Sequence, residues 1–265
     1  MNAIKTEFSI SSCRHPTVID VYHSRRIPVA SGGTVPMGVY IPQEQGDFLF
    51  SLIQWLQPAL TIEVGMANGL STLFIAAALQ QNGHGRHIAI DPFQASDWQN
   101  AALCLIQNAG LKAFVELREL SSHQALPQME REGLRAQFAF VDGSHLFDYV
   151  LTDFLCIDRI LDVGGLIAFD DSDWPAIRQV LRYVLANRHY EVAFPEVIIE
   201  PTRISPRLSS RILRKSGKII PTLGGKMRPD FMQPDEDLRL KGRCVVLRKL
   251  AEDDRNSQTK FHHTF

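Results

Sequence analysis

Cysteine is scarce in this sequence. The chain of 265 residues has four cysteines, and no two of them form a C-x-x-C pair. Zinc ribbons need such pairs, and small disulfide-stabilised domains need a much higher density of cysteine. We therefore expect reduced thiols, and neither a zinc ribbon nor a disulfide framework.

Long apolar runs are also missing. No stretch approaches the ~20 continuous apolar residues that cross a bilayer, and the amino terminus lacks an apolar run of signal-peptide length. We expect no transmembrane segment and a cytoplasmic location.

The sequence has almost no net charge, because 28 basic residues face 29 acidic ones. With 45% hydrophobic and 22% charged residues, the composition is that of a folded globular chain. A chain so close to neutral has no overall attraction to nucleic acid, so nucleic acid is not an expected partner. The length favours one domain with additions, and assembly into a homo-oligomer is left open.

Short apolar runs alternate with amphipathic ones through the middle of the chain. The predicted strands are LTIEV (60–64), HIAID (87–91), FVELREL (114–120), FAFVD (138–142) and LIAFD (166–170). Runs that are apolar on both faces are typical of buried parallel strands, and their alternation with helices predicts a doubly wound, Rossmann-like α/β fold. EVAFPEVII and RCVVLRKL would add a C-terminal antiparallel hairpin and complete a mostly parallel seven-stranded sheet.

The pattern divides the chain into an N-terminal extension (1–45), one domain (46–250) and a flexible tail (251–265). Within the domain, residues 201–241 are a long insertion, and its segment 202–229 holds eight basic residues and no acidic one. Such a segment predicts either a lid that attracts an anionic acceptor or a solvated loop balanced by the acidic residues downstream.

A glycine-rich turn, EVGMANG (63–69), follows the first predicted strand. Gly65 and Gly69 allow a ligand to approach the backbone, and Asp91 at the end of the next strand can accept hydrogen bonds from ribose hydroxyls. The alternative is that Gly65 and Gly69 only make a tight turn and that Asp91 only starts the next loop. Ala67 replaces the second glycine of the dinucleotide motif, which disfavours a dehydrogenase. Asn68 or Ser71 is a candidate cap for the following helix.

Three carboxylates are predicted to meet at the same edge of the sheet. Asp142 ends the fourth strand, and Asp170 and Asp171 end the fifth, provided that the chain turns there. A hard divalent cation such as Mg²⁺ would neutralise them. The alternative is that Asp171 or Asp173 caps the next helix. His145 lies three residues beyond Asp142, past the flexible Gly143, and is predicted to reach a substrate hydroxyl beside the metal and to remove its proton as a general base.

The motif EVGMANG (63–69) resembles the first motif of class I S-adenosylmethionine-dependent methyltransferases, and VDGSH (141–145) and FDDSDW (169–174) carry a narrower resemblance within that superfamily. Within that superfamily, the sequence is most similar to metal-dependent O-methyltransferases of the catechol and macrocin type, over roughly residues 41–171. The resemblance implies S-adenosylmethionine as cofactor, Mg²⁺ or a similar cation, and a small-molecule hydroxyl as acceptor.

The resemblance also implies roles for single residues. Ser71 would hold the methionine carboxylate, Asp91 the ribose and Ser122 the adenine edge, although Ser122 is equally a candidate helix cap. The implied cofactor-binding set is Glu63, Gly65, Ala67, Gly69, Ser71, Asp91, Ser122 and Asp142, and the implied metal ligands are Asp142, Asp170 and Asp171. His145 stands where the catechol enzymes have a lysine base.

Two other functions are compatible with the same pattern. One is a metal-independent methyltransferase that acts on a nitrogen or on a macromolecule. The other is a nucleotide-binding oxidoreductase, or a binding module without catalysis, on the same fold.

Overall fold

The computed structural model describes residues 8–200 and 234–255. The helices are α1 (Pro16–Ser24), α2 (Gln43–Leu56), α3 (Leu70–Asn82), α4 (Ala101–Asn108), α5 (Ser122–Arg131), α6 (Phe147–Ile160) and α7 (Pro175–Asn187). The strands are β1 (Arg26–Pro28), β2 (Thr34–Pro36), β3 (Leu60–Val64), β4 (Arg86–Ile90), β5 (Val115–Arg118), β6 (Ala136–Val141), β7 (Leu161–Phe169), β8 (Tyr190–Ala193) and β9 (Val245–Lys249).

A seven-stranded sheet with the order β5-β4-β3-β6-β7-β9-β8 forms the centre of the molecule. Neighbours from β5 to β7 pair in parallel, and β9 runs antiparallel to both β7 and β8. The predicted doubly wound fold and its terminal hairpin are therefore confirmed. The strand order reverses between β3 and β6, and the carboxyl ends of strands at such a point form the ligand crevice of open α/β sheets.

Both faces of the sheet are buried, as the apolar runs predicted. Along β6, Phe138 and Phe140 pack into the apolar cluster that contains α2, α3 and α4. Ala139 and Val141 face the opposite cluster, with α5, α6 and α7. Alternate residues of one strand thus serve two cores, because successive side chains of a strand point to opposite faces.

Predicted element bounds differ from the observed ones in two instructive places. The predicted strand 166–170 is the end of a longer β7 that begins at Leu161. The first half of β7 was not predicted because its DVGG stretch is not apolar. The domain boundary at residue 46 falls inside α2, which begins at Gln43. Gly110, just beyond the end of α4, has a left-handed φ of +70°.

The N-terminal extension is structured over its described part, which the sequence pattern did not predict. Helix α1 and the antiparallel β1–β2 ribbon pack on the face of the sheet that carries α2. The Cys13 amide donates to the buried Asp47 carboxylate at 2.8 Å, and the Tyr22 hydroxyl donates to the Ile41 carbonyl at 2.7 Å. These bonds fix the segment to the start of α2.

Residues 201–233 of the long insertion, which include the whole predicted lid over 202–229, lie outside the described residues. The end of the tail, residues 256–265, also lies outside them. Of the acidic residues downstream of this segment, Asp235 accepts a 2.7 Å hydrogen bond from Arg182 on α7.

All four cysteines are unpaired, as predicted. Among the helices of residues 8–200 and 234–255, none has the length and apolar character that crossing a membrane requires.

Candidate active site

The glycine-rich turn between β3 and α3 is held in a left-handed backbone conformation. Gly65 and Gly69 have φ values of +91° and +80°, and Ala67 has a φ of 44°. A Cβ on Gly65 would lie 2.2 Å from the Asp142 carbonyl oxygen, and one on Gly69 would lie 2.7 Å from the Ala102 Cβ. Glycine is therefore required by the approach of the chain to itself. Because Gly65 touches Asp142, the turn lies directly against the loop that leaves β6.

Asp91 fixes the shape of this turn. Its Oδ2 accepts the backbone amides of Met66 at 3.1 Å and Ala67 at 2.7 Å, and the Gln94 side chain at 3.1 Å. Its Oδ1 accepts the Phe93 amide at 2.8 Å. The side chain is 4% exposed and satisfies backbone donors of the turn that would otherwise be buried without partners. This second role of Asp91 was missed in the sequence; its contact with ribose remains a prediction.

Glu63 is completely buried, and its side chain contacts other residues of the protein. Its Oε2 accepts a hydrogen bond from the Thr72 hydroxyl and lies 3.2 Å from Nε2 of His87 on β4. These contacts join β3 to α3 and β4, which gives Glu63 a structural role at the base of the turn. Its predicted contact with the cofactor is left as a prediction.

The start of α3 has no side-chain cap. Gly69 occupies the cap position, and Asn68 instead donates to the Val39 carbonyl at 3.1 Å. The prediction that Asn68 or Ser71 caps the helix is therefore wrong. Ser71 lies in the first turn of α3 and is buried, beside backbone amides that have no partner within the helix. Such amides favour a carboxylate or phosphate ligand.

Ser122 begins α5, and the residue at the cap position is Ser121. The Ser122 side chain acts to lower the pKa of Asp153 on α6. Asp153 is almost fully buried, and burial raises its pKa to about 6. The cap alternative for Ser122 is thus excluded by position, and its predicted contact with adenine is left open.

The chain turns sharply after β7, which directs the two consecutive carboxylates to different partners. Asp171 has a φ of 44°, as the predicted turn requires. Asp170 is 1% exposed, and Arg243 binds both of its oxygens, with Nε 2.8 Å from Oδ1 and Nη2 2.7 Å from Oδ2. The Gln45 amide also donates to Oδ1 at 2.9 Å. The structure therefore does not offer Asp170 as a free metal ligand.

Asp171 contacts His145 instead. His145 Nε2 lies 2.8 Å from Asp171 Oδ2, outside good hydrogen-bond alignment, and Arg243 Nη2 lies 3.3 Å from Oδ1. The imidazole stacks on the Trp174 indole with 4.8 Å between ring centres. The Asp171 carboxylate raises the pKa of His145 above its usual value. The pair is thus a positioned imidazole with a carboxylate behind it.

Asp142 completes the acidic cluster, which we define as Asp142, Asp170 and Asp171. Burial, and then the charges of Asp170 and Asp171, raise the pKa of Asp142 well above its usual range. One ligand atom from each of Asp142, His145 and Asp171 lies within 4.8 Å of the others. A metal ion would therefore meet two carboxylates and an imidazole. The predicted set of three carboxylates does not fit a Mg²⁺ ion, because Arg243 occupies Asp170.

Residues 62–172 match a family model described as a methyltransferase domain. The matched part of the chain is similar to that family. It begins in β3 and ends just beyond β7, so it contains the glycine-rich turn, Asp91, His145 and the acidic cluster.

Two curated plant proteins are similar to the chain. Tapetum-specific methyltransferase 1 of Arabidopsis thaliana is 32% identical over 145 residues, which cover 54% of this chain and 58% of that protein. Caffeoyl-CoA O-methyltransferase 2 of Populus trichocarpa is 27% identical over 170 residues, which cover 61% of this chain and 66% of that protein. The chain thus spans less than two thirds of the length of either relative.

A solved structure shares the fold of the chain. It is the O-methyltransferase from Bacillus cereus in complex with SAH, with a TM-score of 0.54 and 23% identity, covering 68% of this chain and 84% of that one. The resemblance to class I S-adenosylmethionine-dependent O-methyltransferases, predicted from three motifs, is confirmed by the family model and these relatives.

Arg243 and Gln45 are the residues at this site that the sequence did not reveal. Both lie outside the matched domain, and Arg243 is 73 residues from Asp170 along the chain. Nothing in the local pattern around either residue indicates a carboxylate partner. Asp173 also differs from expectation: α7 has Trp174 at its cap position and no side-chain cap bond, so Asp173 does not cap it.

Proposed function

We propose that this protein transfers a methyl group from S-adenosylmethionine to a hydroxyl group of a small molecule. The observation that carries the proposal is the contact of Gly65 with the Asp142 backbone, which places the glycine-rich turn beside the loop that bears His145. A cofactor at the turn and an acceptor at His145 would then be neighbours. The names of the Populus and Bacillus proteins support O-methylation and a cofactor of this type.

The cofactor would lie in the crevice at the carboxyl ends of β3, β4 and β6. In this proposal Ser71 and the first amides of α3 bind the methionine carboxylate, and Asp91 binds the ribose with its remaining acceptor capacity. Ser122 lies at the start of α5, where it would meet the adenine edge. Gly65 and Gly69 keep the turn in the shape that these contacts need.

The reaction would be a direct displacement. The acceptor oxygen attacks the methyl carbon, the carbon–sulfur bond breaks, and its electron pair stays on sulfur to give S-adenosylhomocysteine. With Nε2 of His145 against Asp171, Nδ1 is the atom that takes the hydroxyl proton. Trp174 fixes the plane of the imidazole by stacking. The gain in rate comes mainly from holding oxygen, methyl carbon and sulfur in line.

Magnesium and the anionic acceptor stay predictions of the sequence. A divalent cation would supply positive charge beside the acceptor oxygen. No step is assigned to it, because Asp170 is bound by Arg243 and does not belong to the group of ligand atoms near Asp142. The basic segment that would attract an anionic acceptor lies outside the described residues. A cytoplasmic location likewise remains a prediction.

The test is a pair of measurements on the whole chain. Calorimetry should detect binding of S-adenosylmethionine and none of NAD. Incubation with methyl-labelled cofactor and a metabolite extract should then give a labelled small molecule whose methyl group is on oxygen. Label on nitrogen, protein or nucleic acid would support the second methyltransferase class, and binding of NAD alone would support an oxidoreductase.

A further inference from the structure

We infer that Arg243 supplies the fixed positive charge of the acidic cluster, so that the site works without a divalent cation. The inference deepens the proposed function, since it concerns the chemistry of the same site. It starts from the fork of two bonds between the Arg243 guanidinium and Asp170, at 2.8 and 2.7 Å.

Hydrogen bonds of the Arg243 backbone hold this residue beside the acidic cluster. The Arg243 amide donates to the Ile199 carbonyl at 2.7 Å, and the Arg243 carbonyl accepts the Ser172 amide at 2.7 Å. The Ser172 hydroxyl donates to the same carbonyl, also at 2.7 Å. The Arg243 backbone is thus bound to Ile199, in the segment after β8, and to Ser172, which follows Asp171, and these bonds fix the position from which its side chain extends.

Arg243 carries its charge in the interior. Its side chain is 8% exposed. Burial acts to lower the pKa of Arg243, but the hydrogen bonds that it donates to Asp170 and the charges of the cluster outweigh burial and raise the pKa above its usual value. A planar guanidinium that makes two parallel bonds is the cation that best replaces a metal beside a carboxylate, because it neutralises charge and fixes direction together.

The same arrangement weakens the site for a metal ion. Gln45 and Arg243 already bind Asp170, and Arg243 lies 3.3 Å from Asp171 Oδ1. A divalent cation between Asp142, His145 and Asp171 would have to share Asp171 with the guanidinium. Like charges at such separations repel, because solvent screens them only in part at this half-buried site. The carboxylates therefore have their counter-charge from within the chain.

Manganese binding tests the inference without an acceptor or cofactor, by electron paramagnetic resonance and calorimetry on the full chain. The wild type should bind Mn²⁺ no better than the control variant Arg248→Gln, whose arginine lies on β9 and contacts Glu191 at 3.7 Å. Arg243→Gln should gain about 10- to 100-fold in Mn²⁺ affinity, because Asp170 becomes a ligand. Arg243→Lys should gain much less, and Asp170→Asn in the Arg243→Gln protein should remove the gain.

A wild type that binds one Mn²⁺ per chain with micromolar affinity, lost in Asp171→Asn, would overturn the inference. Circular dichroism and melting curves establish that each variant is folded, and the wild-type titration decides the question even if Arg243→Gln does not fold. Because the titration needs no turnover, its outcome is independent of whether methyl transfer is found. With an acceptor in hand, wild-type activity should persist in EDTA.

Discussion

At the scale of single residues, Asp91 joins the end of β4 to the glycine-rich turn through both of its carboxylate oxygens. Asp91→Ala should leave the amides of Met66 and Ala67 buried without partners, which costs about 1 to 3 kcal/mol for such a group. We expect lower stability to urea and weaker binding of S-adenosylmethionine. The exposed Asp97 provides the matched control, Asp97→Ala. Wild-type stability and affinity in Asp91→Ala would contradict both roles of Asp91.

His145 is the residue on which the proposed proton transfer depends. His145→Ala should lower kcat by about 100-fold, the usual contribution of a positioned base, and leave cofactor affinity nearly unchanged. His189, which lies 3.1 Å from Asp254 at the surface, is a second histidine–aspartate pair and the matched control. The measurement is steady-state kinetics with calorimetry. A kcat equal to that of His189→Ala would show that His145 does not act as the base.

A substitution of Gly65 tests whether the close approach of the turn to the Asp142 backbone requires glycine. Gly65→Ala combines a left-handed φ of +91° with a clash against the Asp142 carbonyl, so it should lower the free energy of unfolding by about 4 kcal/mol or more. Gly133 has a similar φ of +73° and nothing within 4 Å of an added Cβ. Gly133→Ala should therefore lose only about 1 to 2 kcal/mol. Equal losses in urea unfolding would exclude the close approach as the cause.

At the scale of elements, the α5–α6 interface contains a buried carboxyl group that makes stability depend on pH. Asp153 has an unfolded pKa of 3.8 and a folded pKa of about 6. Because the folded state holds the proton more tightly, wild-type stability should fall as pH rises through this window. Asp153→Asn removes the charge, so its relative stability should increase over the same range.

The expected size follows from the shift. At about 1.4 kcal/mol per pKa unit, Asp153→Asn should be up to about 3 kcal/mol more stable than wild type above pH 7, and nearly equal to it below pH 4. Urea unfolding at several pH values measures the difference. Asp148→Asn, on the exposed side of the same helix, should show no gain. A constant difference at all pH values would mean that Asp153 does not titrate in this range.

At the scale of the whole molecule, the N-terminal extension is part of the folded domain. Val18, Val21 and Ile27 are buried in the same cluster as α2 and α3. Each such side chain contributes about 1.5 to 3 kcal/mol when buried, and a domain is stable by only about 5 to 15 kcal/mol. A chain that begins at residue 43 should therefore unfold or aggregate at 25 °C, whereas one that begins at Phe8 should melt cooperatively. Cooperative melting of the shorter chain would show that the extension is dispensable.

The sequence by itself determined the sheet and the location of the site. The strand runs apolar on both faces left no other way to be buried than a parallel sheet between helix layers, and β3 lies where LTIEV predicted. The polar residues after each strand therefore had to meet at one edge. The fold of α1 and the β1–β2 ribbon was not visible, because their short elements have weak periodicity and gain stability only by packing on α2.

Only the tertiary structure decided what each polar residue binds. The sequence placed Asp170 and Asp171 together, but the left-handed turn at Asp171 gives one to Arg243 and the other to His145. Arg243 lies just before β9, 73 residues further along the chain. Local sequence patterns record which face of an element is apolar, since that depends on neighbours along the chain. The partner of a buried charge depends on which distant segment folds back to it, and no local pattern contains that information.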